Sequence, residues 1–158
     1  METVRESVPE GLRIRSGGPD DVPRLVALLV GGALLESEDA EDFGPYRRAM
    51  QEIVSTAGNE VIVAEANGRV IGMCQLIIFR HIQNQGGLCA EVESMYVDDR
   101  FRSQGVGSRL LDEAVARARR ADCYRVQLTS NKVRALAHEF YRRNAFVATH
   151  EGFKRDLH

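Results

Sequence analysis

The stretch RSQGVG, residues 102–107, decides how this chain is read. An apolar-rich run ends just before it. An amphipathic helix pattern begins inside it, with Val106, Leu110, Leu111, Ala114, Val115 and Ala118 spaced to line one helix face. The start of a helix exposes amides that have no acceptor, together with the positive end of the helix dipole. Gly105 and Gly107 carry no side chain where an anion's oxygens would approach the backbone. Arg102 adds a full positive charge, and the Ser108 hydroxyl is a further donor. On these grounds the stretch reads as a cradle for a phosphate or diphosphate. The plainer alternative is a glycine-softened turn that only starts a helix. Two other cradles fail. A P-loop needs GxxxxGK[ST], and no lysine follows Gly107; a dinucleotide fingerprint needs GxGxxG after a first strand, and here the third glycine is missing and several strands precede.

Upstream, Leu12 and Ile14 alternate with arginines as a short strand does, and residues 1–10 read as a loose tail. Pro19-Asp20-Asp21 suits the first turn of a helix that buries Val22, Leu25, Val26, Leu28 and Leu29 and is interrupted at Gly31-Gly32. The run Glu36-Ser37-Glu38-Asp39-Ala40-Glu41-Asp42 is acidic, either a solvated loop or a lip that draws in a cation. A second helix is expected over 45–55 and a strand over 61–64. Asn67-Gly68 is a hairpin turn into a long strand over 69–79. A loop over 83–87 and a strand over 88–97 lead to residue 102. Beyond the helix, a strand over 124–128, a helix over 133–143 and two short strands within 146–157 are expected. No repeat or linker interrupts the order, so residues 11–158 read as one α/β domain.

The 158 residues are 44% hydrophobic and 28% charged, a composition suited to burying a core. A net charge of −2 gives no basic footprint for nucleic acid. No apolar run approaches the roughly 20 residues needed to span a bilayer, and the first residues lack a signal-peptide core. Cys74, Cys89 and Cys123 are odd in number and widely spaced, which suits reduced thiols better than a disulfide framework or a metal site. A cytoplasmic protein without a metal, acting without nucleic acid or membrane, is expected; a homodimer stays open.

RSQGVG fits the pattern [RQ]xxGx[GA], and the chain resembles the GNAT superfamily of N-acetyltransferases from about residue 12 onward. VESMYVDDRFRSQGVGSRLLDEA looks like that family's central strand, diphosphate loop and following helix. SNKVRALAHEFYRRNAF looks like its later segment, an asparagine after a strand and then a helix bearing a tyrosine. Ala145-Phe146 departs from the family's usual Gly-Phe, which alters a helix C-cap. The resemblance implies a mixed, mostly antiparallel sheet of six to seven strands flanked by about four helices. It also implies acetyl-CoA as the acyl donor. The backbone of Met95, Tyr96 and Val97 would pair with the pantetheine arm, on a central strand that splays from its neighbour. Arg102, Ser103, Gln104, Gly105, Val106, Gly107 and Ser108 would hold the diphosphate, and Asn131 would contact the arm or an ordered water.

Acetyl transfer to an amine needs a neutral nucleophile, a stabilised oxyanion and a proton for the departing thiolate. Tyr141 matches the family's general acid; a tyrosine, with a reference pKa near 10, is protonated at neutral pH. Its plainer role is packing beside Phe140. Glu91 and Glu93 share one face of a strand and are the candidate bases, acting directly or through a water. Glu93 is favoured, and a merely solvated face is the alternative. A backbone amide near Val97 would hold the oxyanion. His138 reads as a helix-surface residue. The acceptor is expected to be a small primary amine, possibly cationic in character through the acidic run; a protein or peptide acetyltransferase and a non-catalytic acyl-CoA sensor remain as alternatives.

Overall fold

Asn67 and Gly68 both take positive φ, 50° and 74°, and close the tight turn between the two strands that start the sheet's centre. That conformation belongs to a two-residue hairpin whose twist matches its strands, and asparagine and glycine adopt it readily. The computed structural model describes residues 8–32 and 39–157. Residues 1–7 of the expected tail, and Glu36 and Glu38 of the acidic run, lie outside the described residues. The chain groups into two compact units, Met1–Gln127 and Leu128–His158.

The strands are β1 (Arg13–Ser16), β2 (Asn59–Ala66), β3 (Arg69–Arg80), β4 (Leu88–Val97) and β5 (Cys123–Leu128), in that spatial order, and all of their residues but Leu128 belong to the first unit. The first four pair antiparallel in sequence. β5 arrives by a helical crossover, and the sheet is mixed. The helices here are α1 (Val22–Gly32), α2 (Gly44–Ser55), a single turn α3 (Gln83–Gly86) and α4 (Val106–Arg120). In α3, Asn84 and Gln85 are left-handed, so the expected loop over 83–87 is a tight reversal.

α1 and α2 cover one face of the sheet. Val22, Leu25, Val26, Leu28 and Met50 pack there on Val61, Val63, Val70 and Met73. α4 covers the other face, where Leu110 and Leu111 are fully buried. Gly72 allows the approach: a Cβ there would lie 3.0 Å from Leu110 Cδ1 and 3.2 Å from the Tyr96 carbonyl oxygen. α1 ends at Gly32, so Gly31 and Gly32 are its last two residues.

Ion pairs tie the layers. Arg15 of β1 bonds both Asp21 and Glu65, and holds each carboxyl below its ordinary range. Arg117 of α4 reaches Glu113 on its own helix at 2.8 Å and Glu60 of β2 at 2.5 Å.

The second unit contains α5 (Ala135–Arg143), two residues shorter at its start than expected. The cause is local. The Asn131 side chain accepts from the Val133 amide at 3.1 Å and forms a turn there instead. No strand forms over residues 146–157, so the described residues hold five strands, not six or seven. Val147, Phe153 and Leu157 are the large apolar residues of that segment, and all are exposed. Separated by charged residues and Gly152, they build no alternating buried face.

Candidate active site

β4 is irregular at the point where the site begins. Gln75 stands opposite Glu93 and Met73 opposite Tyr96, so three steps on β4 match two on β3. Ser94, at φ 49°, sits in this bulge. A bulge leaves an unpaired residue, bends the strand and re-aims the side chains beyond it. Glu91 pairs with Ile77 and Glu93 with Gln75, on the face that carries Val61 and Met73. Both glutamates therefore face the α1 and α2 side, as their spacing predicts. Beyond the bulge the phase changes. Tyr96, not Met95, joins the glutamates' face, while Met95 alternates with Val97 toward α4.

Both glutamates are half-buried. Glu91 accepts a hydrogen bond from Gln127 Nε2 of β5 at 3.0 Å. Gln75, opposite Glu93, donates to Asn59 Oδ1 at 2.9 Å. The Tyr96 ring packs into the α1–α2 core and lies under Gly32, the last residue of α1. Sequence reasoning missed both this ring contact and Gln127. The trace of the bulge is visible in the sequence: apolar Val92, Met95 and Val97 break the period of two by one residue.

Asp98 ends β4 and caps the short turn Asp99–Phe101, accepting from the Arg100 amide. It is ion-paired with Arg24 of α1 and with Arg100, the latter at 2.8 Å. The Arg100 hydrogen bonds, joined by those of Arg24 and opposed by burial, hold its carboxyl well below the usual carboxylate range.

The loop then turns through Ser103, at φ 57°, to Gly105, at φ 74°. Gly105 is the N-cap of α4 in the left-handed conformation, where L side chains are disfavoured. The first bond of the helix ladder runs from the Arg109 amide to the Gly105 carbonyl at 3.0 Å. The amides of Val106, Gly107 and Ser108 therefore have no acceptor within the helix. A 15-residue helix stands behind them, and its dipole favours an anion at this end. These groups suit an anion such as a diphosphate. Val106 itself is buried and anchors the turn. Gln104 Nε2 donates to the Arg100 carbonyl at 2.9 Å, which ties the loop to the preceding turn. Exposed Arg102 pairs with Asp99 at 2.7 Å and its Nε reaches the Val97 carbonyl at 3.3 Å. An exposed pair of this kind contributes under about 1 kcal/mol, so Arg102 is only loosely held.

A cleft of about 270 Å³ lies beside α1, bounded by Arg24, Gly31, Gly32, Arg69, Val97 and Arg100 among others. From the acidic run, Asp39 accepts from the Glu41 amide at 2.7 Å and Asp42 from the Gly44 amide at 2.8 Å. These two aspartates thus hold the backbone that enters α2.

In the second unit, Asn131 is exposed and its side chain caps the turn before α5; His138 Nε2 is 2.9 Å from the Asn131 carbonyl oxygen. Half-buried Tyr141 packs edge-on to Phe140 and Phe146, with ring centroids 5.2 and 6.1 Å apart. The Phe146 amide bonds the Tyr141 carbonyl at 3.0 Å, and Ala145, just before Phe146, is left-handed, at φ 65°.

Among the described residues, no group of three or more His, Cys, Asp or Glu side chains could hold a metal ion, and no helix is long and apolar enough to cross a membrane. All three cysteines are free thiols, and burial pushes that of Cys74 up to about 12.

Comparison with known proteins places this arrangement. The chain is 28% identical over 153 residues to the aminoalkylphosphonate N-acetyltransferase of Salmonella typhimurium, covering 97% of this chain and 96% of that one. A crystal structure of a transcriptional regulator from Bacillus halodurans matches with a TM-score of 0.86 at 32% identity, over 92% of this chain and 99% of that chain. The glucosamine-6-phosphate N-acetyltransferase of Arabidopsis thaliana shares the fold, with a TM-score of 0.80 at 21% identity over 94% of this chain and 100% of its own. The family model described as the Acetyltransferase (GNAT) family matches residues 32–146. That span is well over half of the sequence and holds β4, its bulge and the loop before α4, so the chain belongs to the GNAT family of acetyltransferases and is an acyltransferase.

Proposed function

We propose that this protein transfers an acetyl group from acetyl-CoA to the primary amine of a small molecule by direct attack. One observation carries the reading. β4 presents two glutamates on a single face, and the loop at its end opens onto the free amides of the α4 N-terminus. In this reading the amides of residues 104–108, with Ser103 and Arg102, hold the diphosphate. The backbone of Met95, Tyr96 and Val97 pairs with the pantetheine arm, and Asn131 contacts it. Glu93, or Glu91 held by Gln127, removes a proton from the ammonium group, because only the neutral amine attacks. An amide near Val97 donates to the developing oxyanion. Tyr141 gives its hydroxyl proton to the departing thiolate.

The acceptor class follows from charge. The glutamates suit an amine that arrives as a cation. The Salmonella relative acts, by its name, on an aminoalkylphosphonate, which joins a primary amine to an anionic end. The cleft beside α1 is lined by Arg24, Arg69 and Arg100 but also by Asp98 and Asp99, and Arg24 and Arg100 are both paired with Asp98, so the anionic end is supported by the relative alone.

The test is release of free thiol from acetyl-CoA, measured with 2-aminoethylphosphonate, glucosamine 6-phosphate and sisomicin as acceptors. Turnover that depends on one of these amines is expected, with 2-aminoethylphosphonate the best of the three. Acetyl-CoA bound without being consumed would indicate a sensor and overturn the reading.

A further inference from the structure

Asp98 is bound from three directions. Its amide donates to the Ile71 carbonyl of β3 at 2.9 Å, which fixes its backbone where β4 ends. Its carboxylate is ion-paired with Arg24 of α1 and with Arg100. The same carboxylate accepts from the Arg100 amide at 3.1 Å, and the Asp98 carbonyl accepts from the Phe101 amide at 2.8 Å. Arg100 is the next link. Its carbonyl accepts from Gln104 Nε2 at 2.9 Å, so its amide is held by Asp98 and its carbonyl by the loop. Gln104 stands immediately before Gly105, the N-cap of α4. The chain turns there through two left-handed residues, Ser103 and Gly105, and the hydrogen-bonded turn in front of them fixes where that path begins.

We propose that Asp98 is a positioning residue for the acyl donor, acting through the turn of residues 99–101 and the Gln104 side chain on the amides at the start of α4. This rests on the assignment of that loop to acetyl-CoA made above, in which Asp98 itself touches no part of the donor. Its contribution is a fixed starting point. Amides that converge on one anion must be held to within about 0.5 Å, and a loop that reverses twice keeps that precision only if its first turn is held. Arg24 is the second half of the device. Its guanidinium joins the Asp98 carboxylate to the Val70 carbonyl, the latter at 2.7 Å, and ties the turn to α1 and β3. Charge gives the proposal a sign. Asp98 is an anion beside a loop assigned to another anion, so by charge alone its removal would tighten acetyl-CoA binding. Positioning demands the reverse.

The test uses Asp98→Ala, Asp98→Asn, Arg24→Lys and, as a control, Glu65→Gln. Each is measured for acetyl-CoA Kd by calorimetry, and for kcat and acetyl-CoA KM with whichever of the three amines named above the wild type turns over. Asp98→Ala loses both cap and ion pair and should weaken acetyl-CoA binding by roughly tenfold, the scale of a lost cap read as affinity. Asp98→Asn keeps an oxygen for the Arg100 amide, and Arg24→Lys keeps the charge but not the fork; each should weaken binding by roughly threefold. In all three, acetyl-CoA KM should rise with Kd while kcat stays within about twofold, the split expected when only donor binding is lost. Glu65→Gln breaks the ion pairs with Arg13 and Arg15 on β2, which β3 separates from β4. At that distance it should leave acetyl-CoA Kd within about twofold. Binding in Asp98→Ala that is unchanged or tighter overturns the proposal, as does an equal loss in Glu65→Gln, which would mark the effect as general to the fold. A wild type that does not bind acetyl-CoA, or a Gly105→Asp protein that binds it in full, overturns the loop assignment first and this inference with it. If Asp98→Ala does not fold, Asp98→Asn and Arg24→Lys decide by the same criteria.

Discussion

Arg24 of α1 and Asp98 at the end of β4 form an ion pair whose side chains are only 24% and 9% exposed. The Arg24 Nε also donates to the Val70 carbonyl at 2.7 Å. Through this one guanidinium the first helix, the start of β3 and the turn that leads toward α4 are held together. Asp98 carries most of the load, because it also caps the turn of residues 99–101.

Replacing Asp98 with Asn should keep the cap and remove the charge. The folded-state pKa of Asp98 is depressed, so its contribution is fully present above the unfolded value near 3.9. That contribution is lost as pH falls through the folded value. Urea unfolding should show Asp98→Asn less stable by roughly 2 kcal/mol at pH 7, the scale of hydrogen bonds to a charged group. The gap to wild type should narrow steadily below about pH 4. A gap that is constant with pH would assign the loss to packing instead.

Gly105 offers a separate test of the loop. Its φ of 74° is tolerated by Asn and Asp better than by other L residues, so Gly105→Asn measures the steric effect and Gly105→Asp adds charge. Acetyl-CoA at saturating concentration should raise the wild-type Tm through preferential binding to the folded state. The shift should shrink in Gly105→Asn and vanish in Gly105→Asp. A folded Gly105→Asp protein with the full shift would remove this loop from the donor site.

Tyr141→Phe retains the ring that packs on Phe140 and Phe146 and loses only the hydroxyl. The expected result is a fall in kcat of roughly 10- to 1,000-fold, about what loss of a general acid costs, with acetyl-CoA Kd nearly unchanged. Steady-state kinetics and calorimetry on the same preparation check both halves. Unchanged kcat would leave Tyr141 as a packing residue.

Ala145 gives a prediction of opposite sign. It takes φ 65° in the turn that ends α5, where an L residue bears about 1–2 kcal/mol of strain. Ala145→Gly relieves it, less the extra chain entropy that glycine loses on folding. A net gain of roughly 0.5–1 kcal/mol is expected, seen as a rise in Tm with kcat and KM unaltered. A lower Tm would mean that the methyl group packs usefully.

Much of the first unit was legible in the residues themselves. Asn67-Gly68 announced the hairpin, Pro19-Asp20-Asp21 the approach to α1, and the spacing from Val106 to Ala118 the buried face of α4. Those signals are local, and local chemistry was enough. The ion pair of Arg24 with Asp98, and the seating of Gly32 on Tyr96, join residues far apart in sequence, and no periodicity announces such a meeting. Gly31-Gly32, two poor helix formers, stand at the end of α1, where the sequence placed its interruption. The strands expected after residue 146 did not form. A strand is made by its partner and its buried face, and Val147, Phe153 and Leu157 do not supply one.

The extra residue in β4 gives the strand two reading frames. Up to Glu93, odd-numbered side chains look toward α1 and α2; from Tyr96 onward, even-numbered ones do. Deleting Ser94 would merge the frames and let the ladder run straight. In that regular ladder Glu93 would still face Gln75 and Tyr96 would still face Met73, and only the local bend and added twist that a bulge gives a strand would be lost. The extra residue thus sets the shape of the strand and not its alignment, and anyone recutting this strand can change its bend without sliding either half along its neighbour.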